Sequence, residues 1–296
     1  MLKRLAIYCK EMYPVVPRLF VGFILYFEIY FLVVLTHGGI AMRIGAREIV
    51  GALTVFVFLL FLRVADDFKD LETDRILFPE RPLPSGRVNK KDLIILVSVL
   101  AVPLGILNLM LIKNYVFFTI LVAYGALMSV WFFKKYRMQK SLILAVATHN
   151  PVQVVLCYYV ISSACLQYSI PFFTVNNLLI AFTLYFPGLI WEISRKTKAP
   201  QDETDYVTYS KLFGHKKPVY LILAVMFVDT ITSSILTYQL YPWGVIPTVA
   251  CYVWLVFIGC VFIRTPTRFA LVKRVELYEY LTETMMVVFI AMKLVL

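Results

Sequence analysis

Charged side chains are scarce in this sequence. Asp, Glu, Lys and Arg make up 16% of its 296 residues, against 61% hydrophobic residues and a mean hydropathy of +0.80. A soluble domain carries about 25% charged residues, so the scarcity excludes water as the main solvent. Acidic side chains are the rarer kind, 18 against 29 Lys and Arg, which leaves a formal charge of +11. A basic excess can mark a nucleic-acid partner, but in an apolar chain it reports first on membrane topology, and no nucleic acid is expected. Cysteines are few. Cys9, Cys157, Cys165, Cys251 and Cys260 are scattered and odd in number, without the spacing of metal ligands, and read as small apolar fillers. Also missing is a small-residue cleavage pattern after the basic N-terminus, so the first apolar run is expected to stay as a span. The alternation of polar and apolar residues that marks a β-barrel is absent too.

What is present is a series of continuous apolar runs. A helix needs roughly 20 such residues to cross the hydrocarbon core. Nine runs qualify, at about 17 to 36, 49 to 65, 92 to 112, 114 to 133, 141 to 162, 172 to 193, 218 to 238, 243 to 263 and 275 to 296. The expected fold class is all-α, a polytopic membrane protein with nine transmembrane helices, treated as one domain over residues 1–296. Of the 29 Lys and Arg, 24 fall on one side, among them Arg137 and Lys140, four on the other, Arg43, Arg47, Lys113 and Lys293, and Arg63 lies within the second run. The positive-inside rule then predicts a cytoplasmic N-terminus and long loops, with the C-terminus outside. Connections on the outer side are short, so function is expected on the cytoplasmic face.

The second run ends in Arg63-Val-Ala-Asp66-Asp67-Phe-Lys-Asp70-Leu-Glu-Thr-Asp74-Arg75. A helix continuing to Asp74 would put Asp67, Asp70 and Asp74 within an arc of about 60°, with Arg63 on the same stripe and Asp66 at its edge. Like charges stacked over about 10 Å beside apolar helices repel one another and call for a positive partner. Magnesium fits that demand, since it bridges one or two carboxylates to substrate phosphates while keeping several waters. Arg63 is set back inside the helix, where an unpaired guanidinium is costly. A solvated acidic helix end, balanced by Lys69, Arg75 and Arg81, is the bland alternative.

The motif Asp66-Asp67-x-x-Asp70-x-x-x-Asp74 resembles the first Asp-rich signature of the UbiA superfamily of intramembrane prenyltransferases, with Asp66 where that family commonly has Asn. Pro79-Glu80-Arg81-Pro82-Leu83-Pro84-Ser85-Gly86 resembles its Arg-Pro-(small)-Gly stretch. The resemblance spans essentially the whole chain. It implies a single helical bundle with an intramembrane cavity, Asp66, Asp67, Asp70 and Asp74 at a magnesium site, and Lys134 and Lys135 at diphosphate. A second Asp-x-x-x-Asp element is usual after the sixth span, and here the sequence departs from it. Glu192, Arg195 and Lys196 share a helix face, and Pro200 is expected to end the helix, leaving Asp202, Glu203 and Asp205 on a loop. Glu192 and, less directly, Asp202 are candidates for a second magnesium. Arg195 and Lys196 are candidates for phosphate oxygens. An intrahelical ion pair is the alternative.

His149, Asn150 and Gln153 sit within one turn beside Pro151, either satisfying backbone freed by the proline or lining the cavity. Asp229 and Glu28 are expensive in hydrocarbon and should face a cavity or a partner. The implied reaction ionises a prenyl diphosphate and passes the prenyl group to a lipophilic, aromatic acceptor inside the membrane. A terpene cyclase using the same ionisation is the near rival. A transporter with essential mid-bilayer acids such as Asp229 is the distant one.

Overall fold

The computed structural model describes residues 1–38, 42–136, 141–204 and 207–295. Arg137, Lys140 and Asp205 lie outside the described residues. Within them the chain is helical without a strand: α1 (Leu2–Glu11), α2 (Val15–Thr36), α3 (Ala46–Lys69), α4 (Leu71–Leu77), α5 (Lys90–Leu107), α6 (Tyr115–Ser129), α7 (Leu142–His149), α8 (Val152–Tyr168), α9 (Val175–Thr183), α10 (Phe186–Arg195), α11 (Tyr209–Phe213), α12 (Lys216–Leu240), α13 (Val245–Arg264) and α14 (Leu271–Val295).

Seven segments among the described residues are long and apolar enough to cross a membrane. The count of nine differs at two places. Over 114–133 the helix is the 15-residue α6, about 22 Å at 1.5 Å per residue, short of a 30 Å core. At the C-terminal end α14 is 25 residues long but carries Lys273, Arg274, Glu276, Glu279, Glu283 and Lys293. Two predicted spans are broken internally. Pro151 separates α7 from α8, because a proline removes a backbone donor and crowds the preceding turn. Residues Thr183 and Phe186 bound a second break, between α9 and α10.

The described residues group into two compact units, one drawn from Met1–Tyr30, Ala41–Tyr136 and Tyr158–Ile170, the other from Phe31–Ile40, Arg137–Cys157 and Pro171–Leu296. In the first unit α3 packs on α5 and α6, and α1 packs on α5. Its core joins Tyr8, Tyr13, Phe56, Leu60, Val64 and Leu93. Lipid offers polar groups no partners, and several of those buried here pair with one another. The Asn108 amide donates to Thr54 Oγ1 at 2.7 Å and Asn108 Oδ1 accepts from the Tyr159 hydroxyl at 2.6 Å. The Asn114 amide donates to Ser162 Oγ at 2.6 Å and Ser163 Oγ at 3.0 Å. In the second unit α12 is the central helix, packed on α9, α10 and α13, around Ile190, Ile222, Met226, Leu255 and Val275.

Candidate functional site

Helix α3 ends at Lys69, earlier than an uninterrupted helix to Asp74 requires. Asp70 sits at φ −94°, ψ 5°, and α4 starts at the next residue. The register survives the break, since the Asp70 N–H donates to Asp66 O at 2.9 Å and the Asp74 N–H donates to Asp70 O at 2.8 Å. The carboxylates along it differ in burial. Asp67 and Asp74 are buried, Asp66 is half-buried and Asp70 is exposed.

Each carboxylate has its own surroundings. Asp67 is bound on both oxygens: Arg63 Nη2 donates to Oδ1 at 2.6 Å, and the Tyr8 hydroxyl donates to Oδ2 at 2.6 Å. Asp74 accepts from Arg81 Nη1 at 2.7 Å, and the Arg81 guanidinium lies 4.0 Å from the centroid of the Phe78 ring. Asp66 pairs with Lys69 at 2.7 Å, and the Lys69 ammonium also lies 4.9 Å from the Trp131 ring centroid. Asp70 has no side-chain partner among the described residues. Its carboxyl is open to solvent yet hemmed in by protein. That loss of hydration, followed by the repulsion of Asp66, raises it above the ordinary aspartate range, against the pull of Lys69. Among the described residues no three His, Cys, Asp or Glu side chains come close enough together to form a ready metal cage.

The Arg-Pro stretch is folded as a set of turns over this cluster. Ser85 Oγ donates to Arg81 O at 2.7 Å, and Gly86 takes φ +75°, the left-handed region where a side chain is disfavoured. Lys134 and Lys135 follow Trp131, Phe132 and Phe133, all three at positive φ. Such a run costs about 1–2 kcal/mol per residue. Both lysines are exposed, and Lys135 reaches Glu72 at 3.4 Å.

In the second unit the helix ends at Arg195, before Pro200, and Pro200–Asp202 form a short turn. Glu192 is held by two cations, Arg195 Nη2 at 2.6 Å and Lys196 Nζ at 2.7 Å. Arg195 also covers the Trp191 ring, and Lys196 is buried. Asp202 is exposed, whereas Glu203 accepts hydrogen bonds from Thr208 and Ser210. His149, Asn150 and Gln153 bracket the break at Pro151. His149 Nδ1 lies 3.0 Å from Ala145 O, and the Gln153 N–H donates to Asn150 O at 3.0 Å. Asp229 is buried and hydrogen-bonded to Tyr278 at 3.3 Å.

Two residues at the acidic cluster were not picked out as site residues from the sequence. Arg81 had a signal, its place in the Arg-Pro stretch, but read as a general counter-charge. Tyr8 had none, because 59 positions separate it from Asp67.

No family model matches this chain, and no curated protein matches it. Among solved structures, that of digeranylgeranylglyceryl phosphate synthase in membranes aligns with a TM-score of 0.64 at 16% identity, covering 99% of this chain and 100% of that one. At that identity the likeness speaks for the fold. From end to end, this multi-pass integral membrane protein is similar in its helical architecture to that membrane synthase.

Proposed function

We propose that the protein is a UbiA-type, magnesium-dependent intramembrane prenyltransferase that takes a prenyl diphosphate and a lipophilic, aromatic acceptor from the membrane. The observation that carries this reading is the carboxylate cluster of Asp66, Asp67, Asp70 and Asp74 at the end of α3, flanked by Arg63 and Arg81. The fold likeness to a synthase whose named product bears geranylgeranyl, hence isoprenoid, chains supports it.

The donor set fits magnesium of one kind. A cage of protein oxygens is not assembled, but magnesium ordinarily takes only one or two carboxylates and completes its shell with water and phosphate oxygens. Asp70, with both oxygens open, would hold the ion together with one of its neighbours, Asp66 or Asp74. When bound, it supplies charge neutralisation for the departing diphosphate.

The chain's own residues supply the rest. Arg63 and Arg81, each anchored through one carboxylate, present guanidinium donors to phosphate oxygens, and Lys134 and Lys135 are further cations of the same unit. The allylic C–O bond breaks and its electron pair leaves on the diphosphate. The resulting cation is stabilised by aromatic faces and is captured by the acceptor's π electrons, with loss of a proton from the acceptor. In the second unit Arg195 and Lys196 are the phosphate candidates, with Glu192 fixing their positions and Asp202 more remote in role. The N-terminus and the site face the cytoplasm and the C-terminus faces outward, as the lysine and arginine bias implies.

The test is diphosphate release from prenyl diphosphates of several lengths, with and without magnesium. Asp70→Asn should lower the rate by about 100-fold or more, the size of losing one electrostatic contact to the leaving group. Undiminished magnesium-dependent release would overturn the assignment.

A further inference from the structure

Four carboxylates crowd the end of α3, but they are not equivalent. Asp67 is 5% exposed, and it is the member with both oxygens engaged, Oδ1 by Arg63 and Oδ2 by Tyr8. Asp70 keeps both of its oxygens open. A metal ligand must offer a lone pair along an accessible direction, and the surface of Asp67 is already taken by a guanidinium and a phenol.

Tyr8 is fully buried. It belongs to α1, which is fastened to the same unit at points on either side of it. Arg4 grips Asp92 through two contacts at 2.6 and 3.0 Å, and Arg87 grips Glu11 through two more at 2.6 and 2.8 Å. Leu5 and Ile7 pack into the core beside Val64 and Leu93. The phenol is therefore delivered to Asp67 by a docked helix. Charge-assisted hydrogen bonds of this length are the strong ones, so Tyr8 sets the plane of the Asp67 carboxylate. That carboxylate in turn sets the Arg63 guanidinium one helical turn back. Arg63 Nε is buried and has no hydrogen-bond partner among the described residues. The Arg63 side chain as a whole is 34% exposed, so the guanidinium keeps an open surface for a ligand.

We infer that Tyr8 and Asp67 are positioning residues: with α1 docked, they aim the Arg63 guanidinium at the diphosphate, and Asp67 takes no part in holding the metal ion. The inference rests on the reading of this cluster as a diphosphate site. It makes the N-terminal helix a working part of that site, with a tyrosine acting on substrate through two intervening side chains.

The experiment uses the full chain in detergent or nanodiscs, with Tyr8→Phe, Asp67→Asn and Asp70→Asn. Binding of Mn2+ is followed by its magnetic resonance signal, with and without inorganic pyrophosphate. KM and kcat are measured with a prenyl diphosphate, and melting temperature is recorded for each variant. Tyr8→Phe should raise the Kd for pyrophosphate and the KM by about tenfold, the lower end for a hydrogen bond to a charged group, while Mn2+ binding without pyrophosphate stays within twofold. A merely structural role would lower the melting temperature and the active fraction without moving KM. Asp67→Asn should behave like Tyr8→Phe, and it decides the matter if Tyr8→Phe does not fold. Asp70→Asn should lose Mn2+ binding. The inference fails if Tyr8→Phe leaves pyrophosphate affinity and KM unchanged, or if Asp67→Asn loses Mn2+ as completely as Asp70→Asn does. If Asp70→Asn itself still binds Mn2+ and pyrophosphate, the diphosphate-site reading fails instead.

Discussion

Replacing Arg63 with Met puts a number on the cluster's electrostatics. The substitution keeps length and apolar bulk but removes the charge 2.6 Å from Asp67 Oδ1, leaving a carboxylate that is 5% exposed with the Tyr8 hydroxyl as its remaining partner. Breaking a fully buried ion pair from one side costs about 3–5 kcal/mol. The Arg63 side chain is 34% exposed, so water already screens part of the interaction, and about 2–3 kcal/mol is the better figure. For a chain of this size that corresponds to a fall of about 5 °C in melting temperature. Arg63→Met/Asp67→Asn removes both charges while Tyr8 keeps a hydrogen-bond partner, and it should recover about half of the loss, a coupling of about 1–2 kcal/mol. The assay is a thermal melt of purified single and double variants in one detergent, read at a fixed scan rate because membrane proteins often unfold irreversibly. A single variant that melts with the parent, or a double variant that melts at the sum of the two single losses, would refute the reasoning.

Other outcomes follow from particular contacts. Gly51→Ala drives a methyl group into the Tyr26 ring and hydroxyl, and overpacking of that kind should cost about 1–3 kcal/mol, visible as a lowered melting temperature; an unchanged melt would mean that Tyr26 moves freely aside. Lys135→Ala breaks an exposed contact of 3.4 Å with Glu72, so stability should hold within about 0.5 kcal/mol. A raised KM for prenyl diphosphate in that variant would then report a phosphate contact, and an unchanged KM would remove Lys135 from the site. Incubation with a prenyl diphosphate but no acceptor should yield no cyclic product by gas chromatography and mass spectrometry. A cyclic hydrocarbon or alcohol would identify a terpene cyclase using the same ionisation.

Much of the architecture could be read along the chain because crossing a membrane is a local requirement: about 20 apolar residues satisfy it wherever they occur. The seven long apolar segments were legible for that reason, as was the grip of Glu192 on Arg195 and Lys196, whose partners lie three and four positions away on one helix. Helix continuity was less legible. Nothing in the spacing of Asp66 to Asp74 marks the break at Asp70, where short acidic side chains crowd a helix end.

Hydropathy and helical period depend on near neighbours, so the order of residues was enough to show that this chain spans a membrane as helices and gathers its acids at the boundary. Tertiary structure decided how those acids divide their work. Which carboxylate is sealed by Tyr8 and Arg63, which is held by Arg81 and which stays open depends on groups between 4 and 59 positions apart meeting in space. Spacing along one helix does not encode which distant side chain arrives to fill a carboxylate's lone pairs.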